Sequence, residues 1–289
     1  MKEIRKLIPK SPFLITPHLE KFTLPNEPVP CIYENRSCRR IIYIKNKPVP
    51  YKVRITREGK HPLLEAEIYS RNANQALEII KKIYRTDFDY RPFLEKCRFH
   101  RDIYRIAKKW EGLRPTRILS TYEALIDTIF EQNIALKIAL KAKARFVKAF
   151  GERRIIDNEY YFGFPMQEVI SKLDPKEIRE KVKIPLNKAK AIIEVAKIAE
   201  ELPSIEEVEE RPDEFIEFIT QVKGIGKWTA ELTIAKVSKG FKIGPFYDLA
   251  VKRGFRKILG IKDEKRIKKI MEEFEEYGDL LLYLIAFES

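Results

Sequence analysis

The spacing of apolar residues changes about a third of the way along the chain. Three runs, 40–44, 51–55 and 63–69, are rich in β-branched residues and partly alternate, as strands with one buried face do. Asn46, Lys47 and Pro48 separate the first pair and Glu58 with Gly59 the second, so the runs are read as antiparallel strands. Then the period lengthens: Ala76, Leu77, Ile80 and Ile83 recur at helical spacing. A boundary is expected at 87–92. Beyond it the pattern is helical almost throughout, most clearly at 99–111, 121–150, 175–182, 187–201 and 266–277. The fold class that follows is α+β, with the strands gathered near the N-terminus.

One interruption of the helical pattern carries chemistry. Phe215, Ile216, Phe218 and Ile219 recur at helical spacing after the acidic start Asp213 and Glu214, and Trp228, Leu232 and Ala235 mark one face of a second helix. Between the two, Gly224 and Gly226 flank Ile225. Glycine at both ends of the turn permits positive φ and lets another backbone approach closely. The turn's amides, with the free N–H groups opening the second helix, make an anion site. Lys223 and Lys227 stand beside it, so a DNA phosphate is the anion that fits. For a Gly-x-Gly pair alone, an ordinary tight connection between helices is the alternative.

Charge shifts that balance. The chain of 289 residues carries 57 Lys and Arg against 43 Asp and Glu, a formal net charge of +14. A surface of that sign attracts and steers polyanions. Lys252, Arg253, Arg256 and Lys257 cluster with few acidic neighbours, whereas Lys265, Arg266, Lys268 and Lys269 face Glu272, Glu273, Glu275 and Glu276 and read as a solvated helix face. With 44% hydrophobic residues the chain can bury the cores of two or three domains. No apolar stretch approaches the roughly 20 residues of a bilayer span, and residues 1–10 lack the apolar core of a signal peptide, so a cytoplasmic protein is expected. Cys31, Cys38 and Cys97 match neither an even disulfide framework nor a paired Cys-x-x-Cys metal site. His18, His61 and His100 are scattered, which leaves no visible histidine metal site or catalytic triad. A charged content of 35%, with abundant Ile, Lys and Glu, leans towards a thermophile.

The run Gly224-Ile225-Gly226-Lys227-Trp228-Thr229-Ala230, with Asp248 downstream, resembles the helix-hairpin-helix DNA glycosylase superfamily, most of all its bacterial 3-methyladenine DNA glycosylase II branch. Residues 184–191 resemble the helix opening that precedes the hairpin in that branch, 248–255 its catalytic segment, and 131–135 the segment whose residue fills the gap in the DNA. The resemblance implies a base-excision-repair enzyme. Such an enzyme bends duplex DNA, flips a damaged, here alkylated, base into a pocket and hydrolyses the bond joining base to sugar. It gives Asp248 the catalytic role: the carboxylate stabilises positive charge on the sugar and helps a water attack the anomeric carbon. Asp is also a preferred N-cap, and the two roles are compatible. Lyase-type members carry a lysine nucleophile where this chain has Trp228. Lys227 lies one residue earlier, about 100° around the helix, so a monofunctional enzyme with water as nucleophile is implied.

Trp228, Tyr247 and Phe246 are candidates for the walls of the base pocket, because π faces suit a cationic alkylated base. For Trp228 a place in the core is the equal alternative. Leu232 and Ala286 stand where the branch has aromatics, with Tyr283 and Phe287 nearby, and Lys223 replaces its usual hairpin proline. Candidate DNA contacts are Lys223, Gly224, Ile225, Gly226, Lys227, Lys252 and Arg253, with Gln132 and Asn133 entering the space left by the flipped base. The last two can equally be polar residues on an exposed helix edge. An iron–sulfur cluster needs four closely spaced C-terminal cysteines, and none lies beyond Cys97, so no cluster is expected. A monovalent cation, sodium or potassium, on the carbonyls of Val222 and Gly224 is implied by the resemblance alone.

The expected architecture has three parts: a β-rich domain over 1–88, a helical domain over 119–242 carrying the hairpin, and a second helical domain joining 89–118 to 243–289. Asp248 then lies at the cleft between the helical parts. The expected partner is damaged double-stranded DNA, bound by a monomer associated with the nucleoid of a prokaryote; no metal or membrane is involved. Two other functions fit the same residues, a bifunctional glycosylase/lyase acting on oxidised purines such as 8-oxoguanine and a non-catalytic helix-hairpin-helix DNA-binding protein.

Overall fold

The computed structural model describes residues 2–240 and 244–289. Five strands, β1 (Glu3–Leu7), β2 (Ile32–Glu34), β3 (Ser37–Ile44), β4 (Lys47–Arg57) and β5 (Leu63–Ile68), form an antiparallel sheet in the order β1-β5-β4-β3-β2. Two-residue turns set its register. Asn35 with Arg36 and Lys45 with Asn46 hold both central residues at positive φ, the mirror-image turn that matches strand twist. Lys47 and Pro48 therefore belong to β4 and do not separate it from β3, a correction to the expected boundary. Pro48 and Pro50 cost the sheet no hydrogen bond: they face Tyr43 and Ile41 in pairs whose nitrogens point away from β3, and β5 begins to pair only at Tyr51.

The helix Ala73–Ile83 lays Ala76 and Ile80 on this sheet, in a core shared with Phe13, Tyr51, Val53 and Leu64. Cys31 and Cys38 form a disulfide across the β2–β3 turn, with their Cα atoms 5.7 Å apart. This corrects the expectation of no disulfide framework. The pairing is local to one hairpin, and Cys97 is left over as a buried thiol, so the odd count concealed it.

Among the described residues the rest is helical, with one exception that the periodicity did not reveal. A hairpin, Arg153–Ile156 with Glu159–Phe162, turns at Asp157 and Asn158 and is tied to β3 through Arg39 Nε, which donates to the Tyr160 carbonyl at 3.2 Å. The helix expected over 121–150 is two helices, Thr121–Glu131 and Leu136–Phe150. The break is capped: Lys188 Nζ donates to the carbonyls of Phe130 (3.1 Å) and Gln132 (2.7 Å), and Asn133 takes a φ of +51°.

Buried apolar side chains gather in three main clusters. One is the sheet with its helix; the second holds Leu125, Phe130, Phe146, Ile192 and Phe215; the third joins Tyr90, Phe93 and Ile106 to Phe255, Leu281 and Ile285. The boundary expected at Lys242 and Ile243 lies outside the described residues. Three buried arginines stitch the clusters together through backbone carbonyls. Arg114, with 0% of its surface exposed, donates to Pro12, Arg85, Phe88 and Gly112. Arg85 donates to Pro115 and Lys239, and Arg117 to Val237, so the last two grip the end of the helix Lys227–Val237. Among the described residues no helix is long and apolar enough to cross a membrane.

Candidate active site

The helix Pro212–Thr220 buries Phe215 and Ile219, and the helix Lys227–Val237 opens directly after Gly226. Between them Ile225, 5% exposed, pins the turn into the second core, and its N–H donates to the Val222 carbonyl at 3.0 Å. The two glycines divide the work that sequence assigned to both. Gly224 has φ +95°, and a Cβ there would come within 3.2 Å of the Ala191 Cβ. Gly226, at φ −109°, is extended and uses no positive φ, and a Cβ there would meet nothing within 4 Å. Gly224 thus serves the turn and Gly226 keeps space open in front of it. The amides of both donate to no protein group among the described residues, and Lys223 and Lys227 are exposed beside them. Such a turn can hold an anion.

Gln132 and Asn133 are placed differently from each other. Gln132 Nε2 donates to the Gly224 carbonyl and to Thr229 Oγ1, both at 2.9 Å, and so braces the hairpin. Asn133 is exposed at the tip of the turn.

Asp248 caps the helix Leu249–Leu259: its Oδ1 accepts from the N–H groups of Ala250 (2.7 Å) and Val251 (3.3 Å). Its Oδ2 accepts from Trp228 Nε1 at 3.0 Å. Three N–H donors therefore fix the orientation of a half-buried carboxylate, and one of them comes from the hairpin's own helix. Lys227 does not share this place; its side chain is 67% exposed and its ammonium lies 3.7 Å from Glu231 Oε1. Trp228 is thus neither a plain core residue nor only a wall, because its indole N–H is engaged by Asp248.

Phe246 and Tyr247 meet edge to face, with ring centroids 5.3 Å apart. Tyr247 lies beside Glu231; burial first, then the neighbouring carboxylate, raises its phenol above the ordinary range. Glu231 was not anticipated from sequence. It is 7% exposed, its Oε2 has no hydrogen-bond partner, and burial raises its carboxyl. The available signal was one acidic residue in the otherwise uncharged run Trp228-Thr229-Ala230-Glu231-Leu232.

Other expected residues lie farther from this group or are already paired. Lys252 forms an ion pair with Glu264 at 2.8 Å, while Arg253 is exposed. Tyr283 meets His18 Nδ1 at 3.0 Å, and Phe287 packs edge-on against Trp110, so both rings serve packing against the helices Thr16–Phe22 and Arg101–Lys109. A cavity of about 370 Å³, lined by Arg40, Tyr122, Glu123 and Phe164, is no part of the site. It lies at the Ser120 end of the helix Thr121–Glu131, roughly 16 Å from the Gln132 end by helical rise. Among the described residues no group of three His, Cys, Asp or Glu is placed to hold a metal ion.

Residues 126–279, just over half the chain and including both the hairpin and Asp248, match the HhH-GPD superfamily base excision DNA repair protein family. The chain belongs to the HhH-GPD superfamily. A DNA-3-methyladenine glycosylase of Bacillus subtilis is 25% identical to this HhH-GPD protein over 221 residues, 73% of each chain. The solved structure of a 3-methyladenine DNA-glycosylase from Archaeoglobus fulgidus superposes with a TM-score of 0.86 at 23% identity, covering 98% of both chains. An 8-oxoguanine glycosylase/lyase of Clostridium acetobutylicum superposes with a TM-score of 0.67 at 16% identity, covering 87% of this chain and 86% of that one. The HhH-GPD fold is therefore similar to that of enzymes with and without a lyase in their names, and it does not by itself choose between the two chemistries.

Proposed function

We propose that this HhH-GPD protein is a monofunctional DNA glycosylase that removes an N-alkylated base from duplex DNA. The observation that carries the reading is the bond from Trp228 Nε1 to Asp248 Oδ2. Capping of the Leu249–Leu259 helix uses Oδ1 alone. A protein that only gripped phosphate would give the second oxygen, and the indole aimed at it, no task.

In the proposed reaction the bond between base and anomeric carbon breaks, and its electron pair leaves with the base. Asp248 stabilises the positive charge left on the sugar, and a water oxygen attacks that carbon while passing a proton to the Asp248 carboxylate. Among the described residues no amine stands where a lyase needs one, since Trp228 has no nucleophilic group and Lys227 reaches outward. The rings of Trp228, Phe246 and Tyr247 offer π faces to a cationic base, and the Bacillus subtilis relative is named for 3-methyladenine. The hairpin amides grip phosphate with Lys223, Lys227 and Arg253, joined by Lys252 when it leaves Glu264. Asn133 enters the gap in the duplex while Gln132 braces the turn from behind.

A monovalent cation at the carbonyls of Val222 and Gly224 is part of the proposal. Each carbonyl already accepts one hydrogen bond, from Ile225 N–H and Gln132 respectively, and keeps one lone pair. No step of the reaction runs through it. The three apolar clusters support a division into 1–88, 119–242 and 89–118 with 243–289, and the proposed enzyme acts as a monomer in a prokaryotic cytoplasm.

The test is cleavage of duplexes each carrying one lesion, 7-methylguanine, hypoxanthine, uracil or 8-oxoguanine, developed with and without alkali and with borohydride in parallel. Cleavage of the methylated duplex that needs alkali and yields no trapped adduct is expected. A borohydride-trapped adduct, or strand cleavage without alkali, would show a lyase; intact binding without cleavage of any lesion would show a binding module.

A further inference from the structure

We infer that Glu231 is the residue by which the pocket selects a cationic base over a neutral one. The inference rests on the proposed function and adds a determinant of its specificity. Glu231 sits one helical turn after Trp228, on the side of the helix Lys227–Val237 that meets Tyr247 and Asp248. Its carboxylate is nine-tenths buried, yet Oε2 finds no donor. The charge nearest to it is Lys227 Nζ, 3.7 Å from Oε1 on the solvent side.

A buried carboxylate oxygen without a donor destabilises the fold, and glutamine or leucine would fill the same space at lower cost. Such a group marks a place that a ligand completes. The missing partner must bring positive charge or a polarised N–H, and a purine alkylated on a ring nitrogen brings both. Burial raises the Glu231 carboxyl above its ordinary range against the opposing pull of the Tyr247 hydroxyl and Lys227, and an arriving cation adds to that pull.

The same charge acts in opposite directions on the two classes of base. A cationic base is attracted on binding and gives up that attraction only gradually as it takes the bond's electron pair, so its partly positive transition state is still favoured relative to free protein and DNA. A neutral base develops negative charge on the ring as it leaves, and a carboxylate beside it raises that barrier. Glu231 thus attracts the alkylated base and penalises excision of undamaged or merely deaminated purines.

The experiment is a single-turnover assay of wild type, Glu231→Gln and Glu231→Asp on duplexes carrying 7-methylguanine or hypoxanthine, run at subsaturating protein so that it reads the second-order efficiency from free protein and DNA, with thermal unfolding of each protein. In Glu231→Gln the efficiency on 7-methylguanine is expected to fall while that on hypoxanthine rises, lowering the selectivity ratio by about tenfold or more. Changes of opposite sign cannot come from a damaged fold. An equal fall on both lesions, or an unchanged ratio, overturns the inference while wild-type cleavage of 7-methylguanine leaves the proposed function standing. If the wild type cleaves neither lesion, the proposed function fails and the inference with it. If Glu231→Gln does not fold, Glu231→Asp decides: withdrawing the charge by one methylene is expected to lower the ratio about threefold, and an unchanged ratio overturns the inference.

Discussion

The seam between the sheet and the helices and the cleft around Asp248 both bury polar groups, but they treat them in opposite ways. At the seam Arg114 meets four backbone carbonyls and stacks over Phe13 and Phe88. Behind the hairpin helix, Lys236 pairs with Asp127 and Glu131, each at 2.7 Å, and Lys143 pairs with the same two carboxylates. In the cleft Asp248 Oδ2 has a single donor, Glu231 Oε2 has none, and the amides of Gly224 and Gly226 donate to nothing in the protein among the described residues. Arg114 at the seam and Lys236 and Lys143 behind the hairpin are satisfied internally. The groups left open in the cleft are those a damaged duplex would complete: a phosphate for the amides, a sugar cation for Asp248, a cationic base for Glu231.

The contrast breaks most visibly at the seam. Arg114→Met would remove one donor from each of the carbonyls of Pro12, Arg85, Phe88 and Gly112, and at about 0.5–1 kcal/mol for each of the four bonds the loss should reach about 3 kcal/mol. Calorimetry would then show a fall in Tm of roughly 10 °C for a chain of this size; a shift of a degree or two would place the seam on a par with the surface.

Acid attacks the same seam through His18. Burial, then the charge of Arg85, pulls its imidazole down to about 3, and its Nε2 accepts from the Thr116 N–H at 3.2 Å. Because the folded value lies below the ordinary 6.5, the stabilisation is complete above pH 6.5 and is lost as pH falls towards 3. Linkage gives about 2 kcal/mol lost between pH 7 and pH 5. Urea midpoints at the two pH values measure it, and His18→Gln should flatten the difference.

On the cleft side the expected effects are on DNA and not on the fold. Gly226→Ala adds a methyl group to open space, so Tm should hold within about 1 °C. Duplex affinity should fall about tenfold, because the methyl stands where a phosphate must approach. Equal losses of stability and affinity would mean that Gly226 is a folding residue like Gly224.

The same contrast explains what the sequence revealed. The hairpin register was legible because glycines and helix starts act locally, and so was the cap at Asp248, since an Asp before an apolar helical pattern is a local signal. The fold class was legible from the switch between two-residue and helical spacing. The hairpin at 153–162 was not, because two four-residue strands between helices offer too few positions for a period; the Asp157-Asn158 turn was its one signal. Glu231, the bracing by Gln132 and the Trp228–Asp248 bond were hidden for a different reason. Each depends on where separate helices meet, as with Gln132 and Gly224, which are far apart in sequence and 2.9 Å apart in space.

Asp248→Asn tests the central claim most directly. Asparagine keeps the helix cap through Oδ1 and loses the acceptor for Trp228 Nε1, so thermal stability should fall by no more than about 1–2 kcal/mol and duplex binding should match the wild type while the negative charge is gone. Base release from a 7-methylguanine duplex in a single turnover should then fall by about a thousandfold, the scale on which removal of one preorganised charge-stabilising group is felt. A rate within about tenfold of wild type, with binding equal in the two proteins, would contradict the account and leave Asp248 as a capping residue alone.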